Sequence, residues 1–212
     1  MQRIFILSIT ILTLFVSSCR TETPRTTPQV VTVYSTSAAT PWLSDLYSCA
    51  ESLAVVERVA DPSSADLSLR VGEPEYLSPF AYQIDEEEIL VVTNRQSPVQ
   101  NLTLDEAQAL FAGMGDPSVQ VWVYASDEDV FGAFDQFVMK GRSVSSSAMV
   151  AVTSQQMSDV LNSESNAVGI LPRHWKAGDV REVYSVVKIP VLVLAQNEPQ
   201  GVVNQLIGCL QK

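Results

Sequence analysis

The sequence is poor in basic residues and in histidine, and each shortage excludes a class of function. Its 212 residues include 13 lysines and arginines against 24 aspartates and glutamates, so the net charge is −11 at pH 7. Nucleic-acid grooves and contacts with anionic membrane surfaces need clustered lysine and arginine, so neither is expected here. The single histidine cannot supply a histidine-rich metal cage. The sequence predicts no metal site and no cofactor.

Apolar residues are abundant, but the chain lacks an apolar run long enough to cross a membrane. They make up 46% of the sequence, which excludes a disordered, collagen-like or coiled-coil protein. The N-terminal apolar run covers only 4–16, whereas a membrane span needs about 18 to 20 residues. Arg3 precedes this run, and small residues follow it. Residues 1–18 are therefore predicted to be an export signal peptide.

The end of the signal contains a cysteine in an unusual place. The tetrapeptide Val16-Ser17-Ser18-Cys19 resembles the lipobox of bacterial lipoproteins, in which the cysteine becomes a lipid-modified N-terminus. The resemblance implies lipid attachment at Cys19 and a membrane-anchored protein on the extracytoplasmic face of the cell envelope. Residues 19–28 are then a polar tether. The alternative is an ordinary secretory signal in which Cys19 follows small residues by chance.

Only three cysteines are present, and export changes how the other two are interpreted. In an oxidising compartment thiols tend to pair, and Cys49 and Cys209 remain once Cys19 carries lipid. A bridge between them would join a predicted first helix to the predicted last helix. The alternative is two unrelated buried thiols, which is how free cysteine usually behaves.

Strand patterns alternate with helix patterns along the remaining chain. Predicted strands cover 30–34, 54–59, 67–71, 89–92, 119–124, 167–171, 182–188 and 191–195. Predicted helices cover 38–53, 101–111, 130–140, 154–161 and 200–210. This alternation is typical of an α/β protein with a largely parallel sheet covered by helices on both faces. In such sheets ligands bind outside the carboxyl ends of the strands.

Several segments resemble the phosphate-binding-protein family of periplasmic solute receptors. The segment 101–113, which reads NLTLDEAQALFAG, is similar to the family's N-L-T-x-E-Q-x-x-x-I-F-x-G helix. The segment 165–170 resembles its P-G-A-I-G-Y strand, and 65–69 resembles its A-D-I-A-I strand. Together with the first strand, its Ser35-Thr36-Ser37 loop and a strand–loop–helix unit at 121–138, the resemblance covers most of 30–210.

This resemblance implies a two-lobed type II fold with two crossover strands. Lobe 1 would contain 29–91 and 189–212, and lobe 2 would contain 92–188. The implied protein is a monomer that captures a small ligand in the cleft and passes it to an ABC transporter permease. It is not an enzyme, because no recognisable catalytic set accompanies His174.

The family also implies where a ligand, expected to be a phosphate-like or other oxyanion, would bind. The implied ligand-binding residues are Ser35, Thr36, Ser37, Arg70, Ser126, Thr153 and Ser154. The second-lobe loop departs from the family's R-S-D-G-S-G-T pattern, because it reads Tyr124-Ala125-Ser126-Asp127-Glu128-Asp129. Carboxylates at the start of a helix stabilise its dipole and repel a phosphate. Two hypotheses follow: an oxyanion receptor, or a degenerate relative that lost the anion site and acts as an envelope interaction protein.

One further acidic segment precedes the first crossover strand. Asp85-Glu86-Glu87-Glu88 does not have the alternating ligand spacing and glycine turn that are typical of a calcium loop. The sequence therefore predicts a solvated run of charges there.

Overall fold

The computed structural model describes residues 29–76 and 78–212. The predicted signal peptide at 1–18, the lipid-attachment residue Cys19 and the tether at 19–28 lie outside these described residues. The strands are β1 (Gln29–Ser35), β2 (Ala54–Arg58), β3 (Leu67–Val71), β4 (Ala81–Asn94), β5 (Gln120–Tyr124), β6 (Met149–Ala151), β7 (Ala167–Pro172) and β8 (Val180–Ala195). The α-helices are α1 (Leu43–Ala50), α2 (Leu104–Ala109), α3 (Asp129–Phe134), α4 (Ser154–Ser163) and α5 (Gly201–Leu210).

The strands form one mixed sheet in the order β2-β1-β3-β8-β4-β7-β5-β6. Pairing is parallel among β1, β2 and β3, and again among β5, β6 and β7. The centre differs from the predicted parallel arrangement, because β8 runs antiparallel to both β3 and β4, and β4 runs antiparallel to β7. The two long central strands therefore connect two parallel units.

We call these two units lobe 1 and lobe 2. Lobe 1 contains β1, β2, β3, α1 and α5, and lobe 2 contains β5, β6, β7, α2, α3 and α4. The strands β4 and β8 belong to both, because their pairing runs from Ala81↔Leu194 beside lobe 1 to Asn94↔Val180 beside lobe 2. The predicted domain boundaries at 91/92 and 188/189 fall inside these shared strands and stay a prediction.

The strand β8 is continuous where the sequence predicts two strands on either side of Pro190. A proline cannot donate to a sheet ladder, so a break is expected at this position. The register of β4 shifts between Gln83 and Asp85, close to the Glu86↔Pro190 pair, so the ladder is irregular near the proline. The carbonyl of Pro190 still accepts a hydrogen bond from the Gly72 N–H at 2.7 Å.

The core consists of apolar side chains from the sheet and the helices that cover it. The central segment Ile89–Val92 of β4 is fully buried, as its unbroken apolar run predicts. In lobe 2, Phe111 and Phe134 pack at a tilt of 54° with their ring centres 4.5 Å apart. Cys49 of α1 and Cys209 of α5 form a disulfide with a Cα–Cα distance of 5.9 Å, as the sequence predicts. Within 29–76 and 78–212 no helix is long and apolar enough to cross a membrane.

Candidate functional site

The carboxyl ends of strands from both lobes meet at one place. In lobe 1, β1 ends at Ser35 and β3 ends at Val71. In lobe 2, β5 ends at Tyr124 and α4 begins at Ser154. Hydrogen bonds between the two lobes link the loops that follow these ends. This is the position at which open α/β sheets bind their ligands.

Asp129, the first residue of α3, lies at the centre of this position. Its Oδ2 accepts a 2.6 Å hydrogen bond from the Thr36 hydroxyl and a 2.9 Å bond from the Val71 N–H. Its Oδ1 accepts from the Val130 N–H at 2.9 Å. Only 8% of the residue is exposed. Burial raises the pKa of Asp129, and the hydrogen bonds from Thr36 and Val71 partly oppose this shift. A carboxylate of the protein therefore binds the Thr36 hydroxyl, one of the predicted ligand groups, together with the Val71 N–H.

Three of the other predicted hydroxyl ligands, Ser35, Ser37 and Thr153, also have partners in the protein. Ser37 Oγ accepts a 2.7 Å bond from the Ser154 N–H, so the lobe 1 loop is bonded to the start of α4. Ser35 Oγ donates to the Thr36 carbonyl at 3.0 Å. Thr153 is the N-cap of α4, where its Oγ1 accepts from the Gln156 N–H at 3.1 Å. The loop is thus used for contacts between lobes and for helix capping.

A third link between the lobes lies beside these residues. The Trp175 Nε1–H donates to the Ala38 carbonyl at 3.1 Å. The ring of His174 lies 4.5 Å from the ring of Trp42, again joining lobe 2 to lobe 1. The two lobes are therefore in contact on one side of the cleft through several polar and aromatic pairs.

Two buried hydroxyl groups near Asp129 have no hydrogen-bond partner within the described residues. They are Tyr124 Oη and Ser154 Oγ. Tyr124 is only 2% exposed, and burial raises its pKa; the nearby Ser154 hydroxyl partly opposes this shift, and the negative charge of Asp129 adds to it.

An open cavity lies on the solvent side of Asp129, and we call it the outer cleft. Its volume is about 770 Å³. Its charged lining consists of Arg70, Lys188, Glu73, Glu75, Asp127, Glu128 and Asp129. Ser126 also lines it. A second cavity of about 410 Å³, the side pocket, shares Arg70 and Asp127 to Asp129 and is also lined by Tyr34, Ser68 and Gln196. Carboxylates outnumber cations in the outer cleft, so its potential is negative.

Arg70 lies in the wall between the two cavities. Its Nε donates to the Gly72 carbonyl at 3.0 Å, which fixes the plane of the guanidinium group. Within the described part of the chain its side chain makes no ion pair and no other hydrogen bond, although several carboxylates line the same cavities. The two terminal nitrogens thus remain available as donors.

Glu128 lies in the same wall and is half-buried. Across 29–76 and 78–212 its carboxylate accepts no hydrogen bond and forms no ion pair. Burial raises the pKa of Glu128, and the neighbouring charges of Asp129 and Asp127 raise it further. This negative charge is therefore poorly compensated by the protein.

His174 forms a pair with a carboxylate that the sequence predicts to be solvated. Glu87 is only 1% exposed, so the prediction of a solvated charge run at Asp85–Glu88 is wrong for this residue. Its Oε2 lies 2.9 Å from His174 Nδ1, and its Oε1 accepts from the Arg173 N–H at 3.1 Å. The physical reason is that these bonds compensate for the loss of water around the buried carboxylate. The pair joins β4 to the turn after β7.

Comparison with solved structures identifies the fold. A phosphate ABC transporter substrate-binding protein from Clostridium perfringens, solved with bound phosphate, superposes with a TM-score of 0.74 at 12% identity, covering 86% of this chain and 93% of that chain. An ABC-type phosphate transport receptor from Vibrio cholerae gives 0.62 at 14% identity, with coverage of 86% and 93%. The regulatory domain of HypT from Salmonella typhimurium, in its apo form, gives 0.63 at 12%, with coverage of 87% and 95%. This chain has the type II periplasmic-binding-protein fold.

Identities this low establish the type II fold and nothing about the ligand. No protein-family description matches the sequence. No curated protein matches it either. Proteins with this fold include both transport receptors and regulatory domains, as the neighbours from Vibrio cholerae and Salmonella typhimurium illustrate. Function must therefore be argued from the site itself.

The structure brings most of the predicted ligand residues into one region. Thr36, Ser37 and Ser154 lie at the junction of the lobes, and Arg70 and Ser126 line the outer cleft. Thr153 is a helix cap, and Ser35 bonds locally. Sequence reasoning missed the roles of Asp129 and Glu128. The acidic loop predicts repulsion of phosphate, but nothing in the sequence indicates that one carboxylate bonds to the opposite lobe.

Proposed function

We propose that this protein is a lipid-anchored extracytoplasmic solute-binding protein in which the Asp129 carboxylate replaces a bound oxyanion. Its ligand occupies the outer cleft and is delivered to an ABC transporter permease. The observation that carries this proposal is the set of bonds from Thr36 and Val71 of lobe 1 to Asp129 of lobe 2. The fold supports the binding role, and the export signal with Cys19 supports the location.

An oxyanion would have to compete with this internal carboxylate. Phosphate cannot take the Thr36 hydroxyl and the Val71 N–H while Asp129 holds them. It would also approach Asp127 and Glu128, whose charges repel a dianion. Binding of a free phosphate-like anion to the Thr36 hydroxyl and the Val71 N–H is therefore disfavoured.

Titration of three forms of the protein with phosphate, sulfate, molybdate and acetate tests the internal carboxylate. Isothermal titration and thermal unfolding should detect no binding by the wild type. Asp129→Ala removes the carboxylate and should gain binding of a small oxyanion with a rise in Tm. Asp129→Asn is the matched control, because it keeps the shape and one acceptor, and it should gain nothing. Saturable phosphate binding by the wild type would restore the oxyanion-receptor hypothesis.

Lipid attachment can be tested separately from ligand binding. Metabolic labelling with a lipid precursor should tag the wild-type protein and should not tag Cys19→Ala. The variant should also leave the membrane fraction, because a covalent acyl anchor is what holds the protein at the bilayer. Retention of the label in Cys19→Ala would refute the anchor.

A second candidate is an envelope interaction protein that binds no small molecule. The supporting observation is that the pairs Ser37–Ser154 and Ala38–Trp175 bond the two lobes directly to each other. Absence of heat and of thermal shift with every small molecule tested would favour this role. We assign no catalytic step to either candidate, and a single-turnover esterase screen checks that assignment.

A further inference from the structure

Two opposite charges in the wall of the outer cleft are not paired with each other. Arg70 and Glu128 line both the outer cleft and the side pocket, so each faces the same open space. Within the described residues neither forms an ion pair. Half-buried charges normally find a partner, because burial without one costs free energy. Both groups are therefore available to a ligand.

We propose that the outer cleft binds a small zwitterion, with its carboxylate on Arg70 and its ammonium group on Glu128. The proposal rests on the proposed function, because Asp129 already binds the Thr36 hydroxyl and the Val71 N–H. Only the outer cleft then remains for a ligand. An amino acid is the simplest compound of this class. The site requires no charge on the ligand beyond these two groups.

The charges around the cleft exclude the simpler ligand classes. An anion could use Arg70 and Lys188, but the carboxylates of the cleft outnumber these two cations and would repel it. A plain cation would satisfy Glu128 and leave the guanidinium group of Arg70 unpaired. A zwitterion compensates both charges at once, and the net interaction with the remaining carboxylates is small.

The geometry of Arg70 suits a carboxylate. The bond from Nε to the Gly72 carbonyl orients the guanidinium plane and leaves both terminal nitrogens for one ligand group. Arginine binds carboxylates with two parallel hydrogen bonds, and a fixed plane lowers the entropy lost on binding.

The surroundings of Glu128 suit an ammonium group. Tyr34 lines the side pocket with Glu128. Burial and the Glu128 and Asp129 charges raise the pKa of its phenol, and the Arg70 charge partly opposes this shift. An aromatic ring beside a carboxylate favours a cation. Phe137, Ile189 and Pro190 add apolar surface to the outer cleft, where a ligand side chain would pack. Cavities of this size are typical of small-molecule sites.

Calorimetry with a panel of compounds tests the charge requirement. The panel contains the standard amino acids and glycine betaine, with choline and ethylamine as plain cations and acetate and propionate as plain anions. Phosphate is a separate arm. We expect at least one zwitterion to bind the full mature protein saturably, and the plain ions to bind at least about tenfold more weakly.

Charge-removing variants then assign the two ends of the ligand. Arg70→Gln and Glu128→Gln should each weaken zwitterion binding by about tenfold or more, since each removes a charge-assisted hydrogen bond. Arg58→Gln and Glu57→Gln are matched controls on the exposed strand β2 and should leave binding unchanged. Thermal unfolding without ligand verifies that each variant is folded.

The outcomes separate this inference from the proposed function. If no zwitterion binds, or if plain cations bind as tightly, the zwitterion site is refuted. If both charge variants bind as well as the wild type, the assignment to Arg70 and Glu128 is refuted. Binding of phosphate by the wild type contradicts instead the internal role of Asp129, on which the proposed function depends.

Discussion

At the level of single residues, Asp129 has two roles that are usually separate. It begins α3, where its negative charge is favourable near the helix N-terminus, and it bonds to the Thr36 hydroxyl and the Val71 N–H of the other lobe. In a receptor the second role would belong to the ligand. Its burial and its raised pKa follow from this position, because the lobes exclude water around it.

The pH dependence of stability should report on Asp129. Burial raises its pKa in the folded protein above the ordinary value of 3.8. Between these two pKa values the folded protein holds a proton that the unfolded chain has released, so stability falls as pH rises through this interval. We expect the free energy of unfolding of the wild type, minus that of Asp129→Asn, to decrease from about pH 4 upward. Urea unfolding at a series of pH values measures this difference, and an increase with pH would contradict the assignment.

Replacing Asp129 by alanine should also be costly at neutral pH. The Thr36 hydroxyl and the Val71 N–H would lose their acceptor in a buried place. We expect Asp129→Ala to lower the free energy of unfolding by about 1–3 kcal/mol. Urea unfolding in a buffer free of phosphate and acetate measures the loss. Adding acetate, which replaces the missing side-chain group, should restore part of it in Asp129→Ala and have no effect in the wild type.

At the level of elements, local signals locate the helices but do not predict how two of them end. Thr103 caps α2, and a bond from its own N–H to the Glu106 carboxylate completes a capping box. The predicted helices at 101–111 and 130–140 each change character near the end, since π-helical turns follow at Leu110–Met114 and Asp135–Met139. Gly113 has a φ of 81°, a left-handed conformation that ends the first of these turns.

The capping box of α2 gives a prediction at this scale. Thr103→Ala should lower the free energy of unfolding by about 1 kcal/mol, because the Glu106 N–H loses its acceptor. The Glu106 carboxylate accepts from the Thr103 N–H and hydroxyl, and these bonds lower its pKa. The effects of Thr103→Ala and Glu106→Gln should therefore be less than additive in the double variant. Chemical denaturation of the four proteins tests this, and strict additivity would argue against the reciprocal box.

At the level of the whole molecule, the disulfide and the links between lobes restrict how the chain can open. The Cys49–Cys209 bridge joins two helices of lobe 1 that are 160 residues apart in sequence. Lobe 2 lies between them in the chain. The bonds Ser37–Ser154 and Ala38–Trp175, together with those of Asp129, then keep the two lobes in contact.

Removing the disulfide should cause a large loss of stability. Closing a long loop restricts the unfolded chain, so Cys49→Ser with Cys209→Ser is expected to lower the free energy of unfolding by about 3–5 kcal/mol. Guanidinium unfolding of the oxidised wild type and of the double variant measures the change. Addition of a reductant should lower the midpoint for the wild type and leave the variant unaffected. An unchanged wild-type midpoint would mean that the bridge contributes nothing.

The links between lobes predict a closed shape without ligand. Small-angle X-ray scattering of the ligand-free wild type should match the closed arrangement, and Asp129→Ala should scatter as a more open molecule because it loses two of these links. Asp129→Asn controls for the loss of charge alone. An open wild type would remove the argument that Asp129 acts as an internal ligand.

The sequence by itself determines most of the elements and several specific pairings. Apolar periodicity locates the strands and the helices, although it misses the short edge strand β6, whose residues Met149 and Val150 are exposed. The Cys49–Cys209 bridge is predicted because two cysteines remain after Cys19 and the predicted compartment is oxidising. The resemblance of the segment 101–113 to a family helix predicts the fold. These features depend on local propensity or on residue counts, which are properties of the chain alone.

Only the tertiary structure decides what the polar residues bind. Thr36 and Asp129 are 93 residues apart, and nothing local indicates that the hydroxyl of one donates to the carboxylate of the other. The burial of Glu87 depends in the same way on the turn at Arg173 and His174. The charge of each residue follows from the sequence, but its solvation and its partners depend on which distant segments meet. The loop Ser35-Thr36-Ser37 resembles a phosphate-binding loop in sequence. In the folded protein it forms a contact between the two lobes instead.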